Sequence, residues 1–267
     1  MTLHEASFGV LLGVAYDGGP FSGFARQPEA RTVAGELDGA VRAIDARASL
    51  VRGVSRTDAG VHARAQCVSF DTTRDIPARG WALALAQHLP DEISVVRASR
   101  VPVGYDPRSH ALTKTYRYSL LESVVRDPFL SRFTWRIAER LNQPAMALEA
   151  SALIGEHDFR AFRAAADARD NTVRQILRAE ICRPHAQGSR LDLVVTGNRF
   201  LYKMMRIIAG TLVDVGRGRL RPGAVARALE SGARDELGVT APPEGLCLEQ
   251  VTLAEAGSDA WPDQFPA

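Results

Sequence analysis

The sequence is short of cysteine, nearly without lysine, and free of long apolar runs. Its three cysteines, Cys67, Cys182 and Cys247, lie far apart and form no C-x-x-C pair, which argues against a disulfide framework and leaves a structural zinc site without a ligand set. No apolar stretch approaches the roughly 20 residues that cross a bilayer. The N-terminal "MTLHEASFGVLL" has neither a basic flank nor a small-residue cleavage site, so the expected address is cytoplasmic, with no membrane partner. Of 33 basic residues only Lys114 and Lys203 are lysines, and against 31 acidic residues the formal charge is +2. Bulk charge therefore does not announce nucleic acid. The arginines carry a planar donor fork that suits phosphate, although a GC-rich genome would produce the same bias.

What is present is an ordinary soluble composition, 46% apolar and 24% charged over 267 residues, enough for one large domain or two halves with a sizeable core. "FGVLLGVAY" reads as a buried strand ended by the turn "DGGP". Thr32 can cap a helix with Val33, Leu37, Val41 and Ile44 on one face. "SLVRGVS" and "AQCVSFD" read as strands, Pro77 starts a helix in which Trp81, Leu85 and His88 share a face, and "EISVVRAS" is a further strand. In the second half, alternation puts Leu112, Lys114, Tyr116, Tyr118 and Leu120 on one face of a strand. A helix from Pro144 stops at Gly155. The strands "TVRQILRAEIC" and "RLDLVVTG" meet at the turn "HAQGS". A long helix is expected from about Phe200 to Val215, then a short helix after Pro222 and a last strand, "GLCLEQVTL". The tail after Ala254 reads as short, polar and loosely held. The mixed order of strands and helices predicts an α+β protein of two related units with a largely antiparallel sheet.

One stretch stands apart, "GVSRTDAGVHARAQ", Gly53 to Gln66. Its glycines permit a sharp loop between two strands, and such a loop holds Asp58 exposed and aimed. From the residues alone Asp58 has three readings. It can be a turn residue bonded to its own backbone, a metal ligand with His62, or a catalytic carboxylate kept ionised by Arg56. The metal reading lacks a third ligand and the helical H-E-x-x-H spacing.

The run "RTDAGVHA" resembles, over eight consecutive residues, the signature of the tRNA pseudouridine synthase A family, in which the aspartate is catalytic. "YDGGPFSGFARQ", "LTKTYRY", "GEHDFRAFR", "NRFLYKMMRIIAGTLVDVGRG" and "EGLCLEQV" resemble further family segments in the family's order. Departures are Phe24 and Ala25 where the family usually has tryptophan and another residue, "AQHLP" for the usual A-N-L-P, and a loose match over residues 165–172. They bear on tRNA contacts and leave the reaction untouched.

The resemblance implies the pseudouridine synthase α+β fold: a mixed, mainly antiparallel sheet flanked by helices, in two related halves, 1–105 and 106–267, with a central cleft. It implies conversion of uridine to pseudouridine at positions 38 to 40 of the tRNA anticodon arm, by a homodimer, without metal or cofactor. The target nucleotide must leave its stack to be reached. Asp58 is then nucleophile or base, Arg206 its cationic partner, Tyr116 the ring on the uracil face, Arg56 the residue that takes the displaced base's place, and Leu246 an aliphatic support beneath the site. His62 becomes loop support and Tyr118 core support. Arg160, Arg163, Arg169, Arg174, Arg199 and Lys203 are candidates for RNA phosphate contact, with Arg199, Lys203 and Arg206 expected on one helix stripe, and Arg217, Arg219 and Arg221 form a second basic cluster. Two other readings compete: a non-catalytic RNA-binding or RNA-folding protein on this scaffold, and a metal-dependent hydrolase using Asp58 and His62.

Overall fold

The computed structural model describes residues 6–184, 188–254 and 257–261. Among them are eleven strands and five α-helices, an α+β fold. The chain divides into two compact units, one comprising residues 1–112 and 248–267, the other Thr113–Cys247.

In the first unit, β1 (Phe8–Tyr16) is the central strand. It pairs antiparallel with β3 (His62–Thr72) on one side and β4 (Ile93–Val101) on the other, and β11 (Ser258–Trp261) adds to β4. The short β2 (Arg52–Gly53) pairs with β3 through Arg52↔Ser69 and Gly53↔Val68. A register shift between Val14 and Tyr16 bends the end of β1. α1 (Val33–Ile44) starts where the sequence places it: the Thr32 hydroxyl accepts from Gly35 N at 3.2 Å, and Val33, Leu37 and Val41 are fully buried. α2 (Ala78–Ala86) buries Trp81 and Leu85, and Trp81 meets Phe70 edge-on at 4.9 Å. His88 lies beyond the end of α2 and is exposed, so it does not share that face. β11 corrects the loose-tail expectation in part, because backbone pairing with an edge strand is indifferent to the polar side chains there.

In the second unit, β5 (Ala111–Glu122) pairs antiparallel with β9 (Arg190–Gly197), β9 with β8 (Val173–Cys182), and β8 with β7 (Gly155–Asp158); β6 (Trp135–Ile137) lies parallel to β5. The turn residues 185–187 fall outside the described set. The expected alternation on β5 holds for Lys114, Tyr116, Tyr118 and Leu120, all buried, whereas Leu112 is exposed. Leu112 precedes the ladder to β9, which begins at Lys114↔Gly197.

α3 (Gln143–Ser151), α4 (Met204–Gly216) and α5 (Ala224–Ser231) complete this unit. The helix expected from Phe200 begins four residues later. Lys203 takes a left-handed conformation (φ 60°) and turns the chain into α4, so Arg199 and Lys203 do not share a helix stripe with Arg206. All residues of α4 except Arg206 are buried. A helix covered on every side is a core element, and the one charge it keeps at the boundary is conspicuous. α5 starts against a side chain of α3: the buried Glu149 carboxylate accepts from the backbone N–H groups of Gly223 and Val225.

Candidate active site

Asp58 sits in the loop between β2 and β3, half-buried. Its turn closes through Val61 N donating to the Asp58 carbonyl at 3.1 Å, with Gly60 at φ 77°. Two strand-borne side chains and one loop amide fasten the loop. Tyr16 Oη lies 2.7 Å from Thr57 Oγ1. Gln66, wholly buried in β3, donates from Nε2 to the Tyr16 hydroxyl at 3.3 Å and to the Ser55 carbonyl at 2.8 Å, and its Oε1 accepts from Ser55 N at 3.2 Å. Phe24 N donates to the Thr57 carbonyl at 3.0 Å. Close approach of the 17–24 segment requires glycine there: a Cβ on Gly18 would overlap the Val61 carbonyl, and one on Gly23 (φ 94°) would stand 2.8 Å from the Thr57 carbonyl.

His62 is buried at the start of β3. Gly18 N donates to its Nδ1 at 3.0 Å, and Asp17 Oδ1 lies 3.1 Å from the same nitrogen. The ring thus ties the start of β3 to the turn after β1. Among the described residues no group of three His, Cys, Asp or Glu side chains could hold a metal ion. Arg56 is exposed two residues before Asp58.

The second unit gathers the other candidates around the start of β10 (Leu246–Leu253). Arg206 Nε donates to the Ala241 carbonyl at 2.8 Å, while Ala241 N donates to the Arg206 carbonyl at 3.0 Å. The Tyr118 hydroxyl donates to the Pro242 carbonyl at 2.7 Å. Burial pushes the Tyr118 hydroxyl well above the usual phenol range, the Glu244 charge pushes the same way, and the Arg206 charge opposes them. A Cβ on Gly245 would lie 2.7 Å from the Tyr118 ring, so Leu246 enters β10 directly beside that ring and is itself buried. Tyr116 is buried with its ring edge-on to Phe200 at 4.9 Å. Tyr118, Arg206 and Leu246 therefore share one neighbourhood of this unit, with Tyr116 two residues before Tyr118 on β5 and packed on Phe200.

The candidate RNA arginines have unequal surroundings. Arg160 is occupied by Asp158 at 3.0 Å and by the Ser231 carbonyl at 3.1 Å. Arg174 is buried, with Nη1 and Nη2 on carbonyls of Val173 and Asn171. Arg163 reaches the Arg169 carbonyl at 2.7 Å, and Arg169 reaches Asp167 at 3.0 Å and the Phe200 carbonyl at 3.3 Å. Arg199 is exposed, and the Lys203 ammonium stands 5.2 Å from the Tyr202 ring centre. In the second basic cluster, Arg217 pairs with Glu139 at 3.1 Å and Arg219 lies 3.8 Å from Asp214.

The sequence profile described as tRNA pseudouridine synthase matches residues 13–108 and 150–252, and these spans contain Asp58, Arg206 and Leu246. The chain belongs to the tRNA pseudouridine synthase family. Members of this isomerase family similar to it include tRNA pseudouridine synthase A of Geobacter sp. (strain M21), 41% identical over 91% of this chain and 97% of that protein. The protein of that name from Citrifermentans bemidjiense is 42% identical over 91% of this chain and 96% of its own length. The one from Halalkalibacterium halodurans is 41% identical over 88% and 89%. Among solved structures, the archaeal box H/ACA sRNP Nop10-Cbf5 complex matches with a TM-score of 0.34 at 13% identity, over 78% of this chain and 44% of that one.

Tyr16, Asp17 and Gln66, which hold the Asp58 loop, lie within the segments "YDGGPFSGFARQ" and "GVSRTDAGVHARAQ", but the motifs assign them no role. The available signal was Gln66 itself, an amide in the middle of an apolar strand, because a buried amide needs partners.

Proposed function

We propose that this protein isomerises uridine to pseudouridine in tRNA, at positions 38 to 40 of the anticodon arm, with Asp58 as its nucleophile or base. The observation that supports this most is the fastening of the family's R-T-D-A-G-V-H-A loop: a carboxylate on a loop that Tyr16, Gln66 and His62 tie to the strands is aimed before substrate arrives. In this reading Arg206 is the cation that accompanies the Asp58 carboxylate in the substrate-bound enzyme, where a desolvated anion needs one. Tyr116 supplies a ring for the uracil face, Leu246 an apolar support, and Arg56 the side chain that fills the space of the displaced base. The enzyme works as a homodimer in the cytoplasm and needs no metal, so its activity persists in EDTA. A metal-dependent hydrolase would lose activity on chelation.

The experiment is tritium release from C5-labelled uridine in unmodified tRNA, comparing the wild type with Asp58→Asn. The wild type should release tritium and the variant should lose on the order of 10³-fold or more in turnover, as when a covalent catalyst is removed. No release by the wild type would overturn the reading, and full activity in the variant would remove Asp58 from its role. Mapping the product along the tRNA tests the anticodon-arm assignment, and sedimentation tests the dimer.

A further inference from the structure

We propose that Arg163, Arg169 and Arg199 form a seat for a backbone phosphate of the RNA, and that Arg160 and Arg174, of the same type and from the same stretch, do not touch it. The proposal rests on the tRNA reading above and assigns one anchoring point within it.

The seat is built around Asp167. This carboxylate is buried, accepts from Tyr202 N at 2.8 Å, and pairs with Arg169 at 3.0 Å. It pins the 163–174 loop to the segment that runs from Arg199 to the left-handed turn at Lys203. Burial acts to raise its pKa. The N–H groups of Tyr202 and Arg169 and the charges of Arg169 and Arg163 outweigh burial and hold it below the usual carboxylate range. Asp167 is thus an anion throughout the working range, and it is heavily outnumbered.

Four guanidiniums act on this one carboxylate or on each other. Arg174 lies beneath at 7% exposure, and its Nε is buried with no hydrogen-bond partner. Its pKa is lowered by burial first, then by the charges of Arg169 and Arg199, with Asp167 alone opposing. Like charges gathered this way repel, and an added anion relieves them. The donors available to such an anion lie on the outer three. Arg163 and Arg169 spend part of their donor sets on the carbonyls of Arg169 and Phe200, which fixes their direction. The Arg199 guanidinium has no hydrogen-bond partner among the described residues, although its backbone N–H is held by Asn198 Oδ1 at 2.6 Å. A guanidinium has five N–H donors in a fork that matches phosphate oxygens, so two oriented forks, Arg163 and Arg169, with the exposed Arg199 beside a buried fourth charge suit a phosphodiester.

Arg174 cannot join them, because its outer nitrogens are spent on Val173 and Asn171 and its Nε is sealed in. Arg160 is spent on Asp158 and on the end of α5, where even a Cβ at Gly232 would collide with it.

The test measures affinity for full-length unmodified tRNA across salt concentrations, for the wild type, Arg199→Gln, Arg163→Gln with Arg199→Gln, and Arg160→Gln. The double variant should bind more weakly and lower the slope of log affinity against log salt by about 0.7–0.9, the share of the one phosphate contact that the seat supplies. Arg160→Gln should leave that slope unchanged. An unchanged slope in the double variant, or an equal fall in Arg160→Gln, overturns the proposal. A parallel titration with inorganic phosphate separates the sources of the anion. Phosphate that protects the wild type against heat but not the double variant, with tRNA binding intact in both, would make this a small-anion site and also overturn it. Failure of the seat leaves wild-type tritium release intact, whereas failure of the synthase reading abolishes it.

Discussion

Gln66 pairs with Ser55 as one peptide group pairs with another: its Oε1 accepts from Ser55 N at 3.2 Å and its Nε2 donates to the Ser55 carbonyl at 2.8 Å. The side-chain amide extends the β2–β3 ladder by one rung beyond Val54 N and the Cys67 carbonyl, which lie 2.9 Å apart. The backbone is thereby free to leave the sheet three residues before Asp58 while still satisfied. Gln66→Ala should strand the Ser55 N–H and carbonyl and cost about 2–4 kcal/mol, the sum of two lost bonds with their desolvated partners. Urea unfolding measures the cost, and single-turnover tritium release should show slower chemistry. A variant of wild-type stability and rate would mean the loop is set elsewhere.

Gly18 and Gly23 test the same loop from its other side. Gly18→Ala places a methyl into the Val61 carbonyl, and Gly23→Ala adds a contact of 2.8 Å to the Thr57 carbonyl on a left-handed backbone. Each should cost about 1–3 kcal/mol in overpacking and strain. Because Val61 and Thr57 flank Asp58, turnover should fall more than tRNA affinity. Equal falls in both would place the damage outside the loop.

The elements that could be read from the sequence are those whose signal is local. β1 and the Thr32 cap carry their own patterns, an apolar run bounded by a turn and a hydroxyl before an amphipathic stripe. The start of α4 was misplaced because "NRFLYK" looks helical in pattern; the left-handed Lys203 is set by its setting, where Asp167 holds Tyr202 N. β7 and β11 are four residues each and polar in part, so only pairing defines them. In the candidate site, the loop that carries Asp58 between β2 and β3 was legible from its glycines and flanking strands. The unequal standing of Arg160, Arg163 and Arg174 was not, since residue type and spacing say nothing of which carboxylate or carbonyl each will meet.

Asp45 should govern part of the acid limb of stability. Its carboxylate, buried at the end of α1, accepts from the Thr72 hydroxyl at 2.7 Å, Thr73 N at 2.9 Å and the Thr73 hydroxyl at 3.0 Å. Burial acts to raise its pKa, and these bonds with the Arg47 N–H overcome burial, bringing it from 3.8 to about 2. A depressed folded-state pKa gives stability that is fully present above the unfolded value and lost as pH falls toward the folded one. Stability should therefore drop between about pH 4 and pH 2. Asp45→Asn should be less stable at pH 7 and flatter across that window when unfolding is measured against pH. An unchanged slope would assign the acid limb to other carboxylates, with Asp71, lowered through Arg52 and Gly104 against its own burial, next in line.

Tyr118→Phe separates support from chemistry in the second unit. The ring stays, and with it the packing against Gly245, but the Pro242 carbonyl loses its donor. The cost should be about 0.5–1.5 kcal/mol, seen as a lower midpoint in urea. The adjacent Ala241 carbonyl holds Arg206 Nε, so a looser 241–246 segment should also lower turnover modestly. Tyr118 stays protonated well past the usual phenol range, because burial and the Glu244 charge outweigh the Arg206 charge. The alkaline limb of the pH–rate profile should accordingly be the same in Tyr118→Phe as in the wild type. If that limb disappears with the hydroxyl, Tyr118 is a proton carrier in the reaction and its place among the supporting residues is wrong.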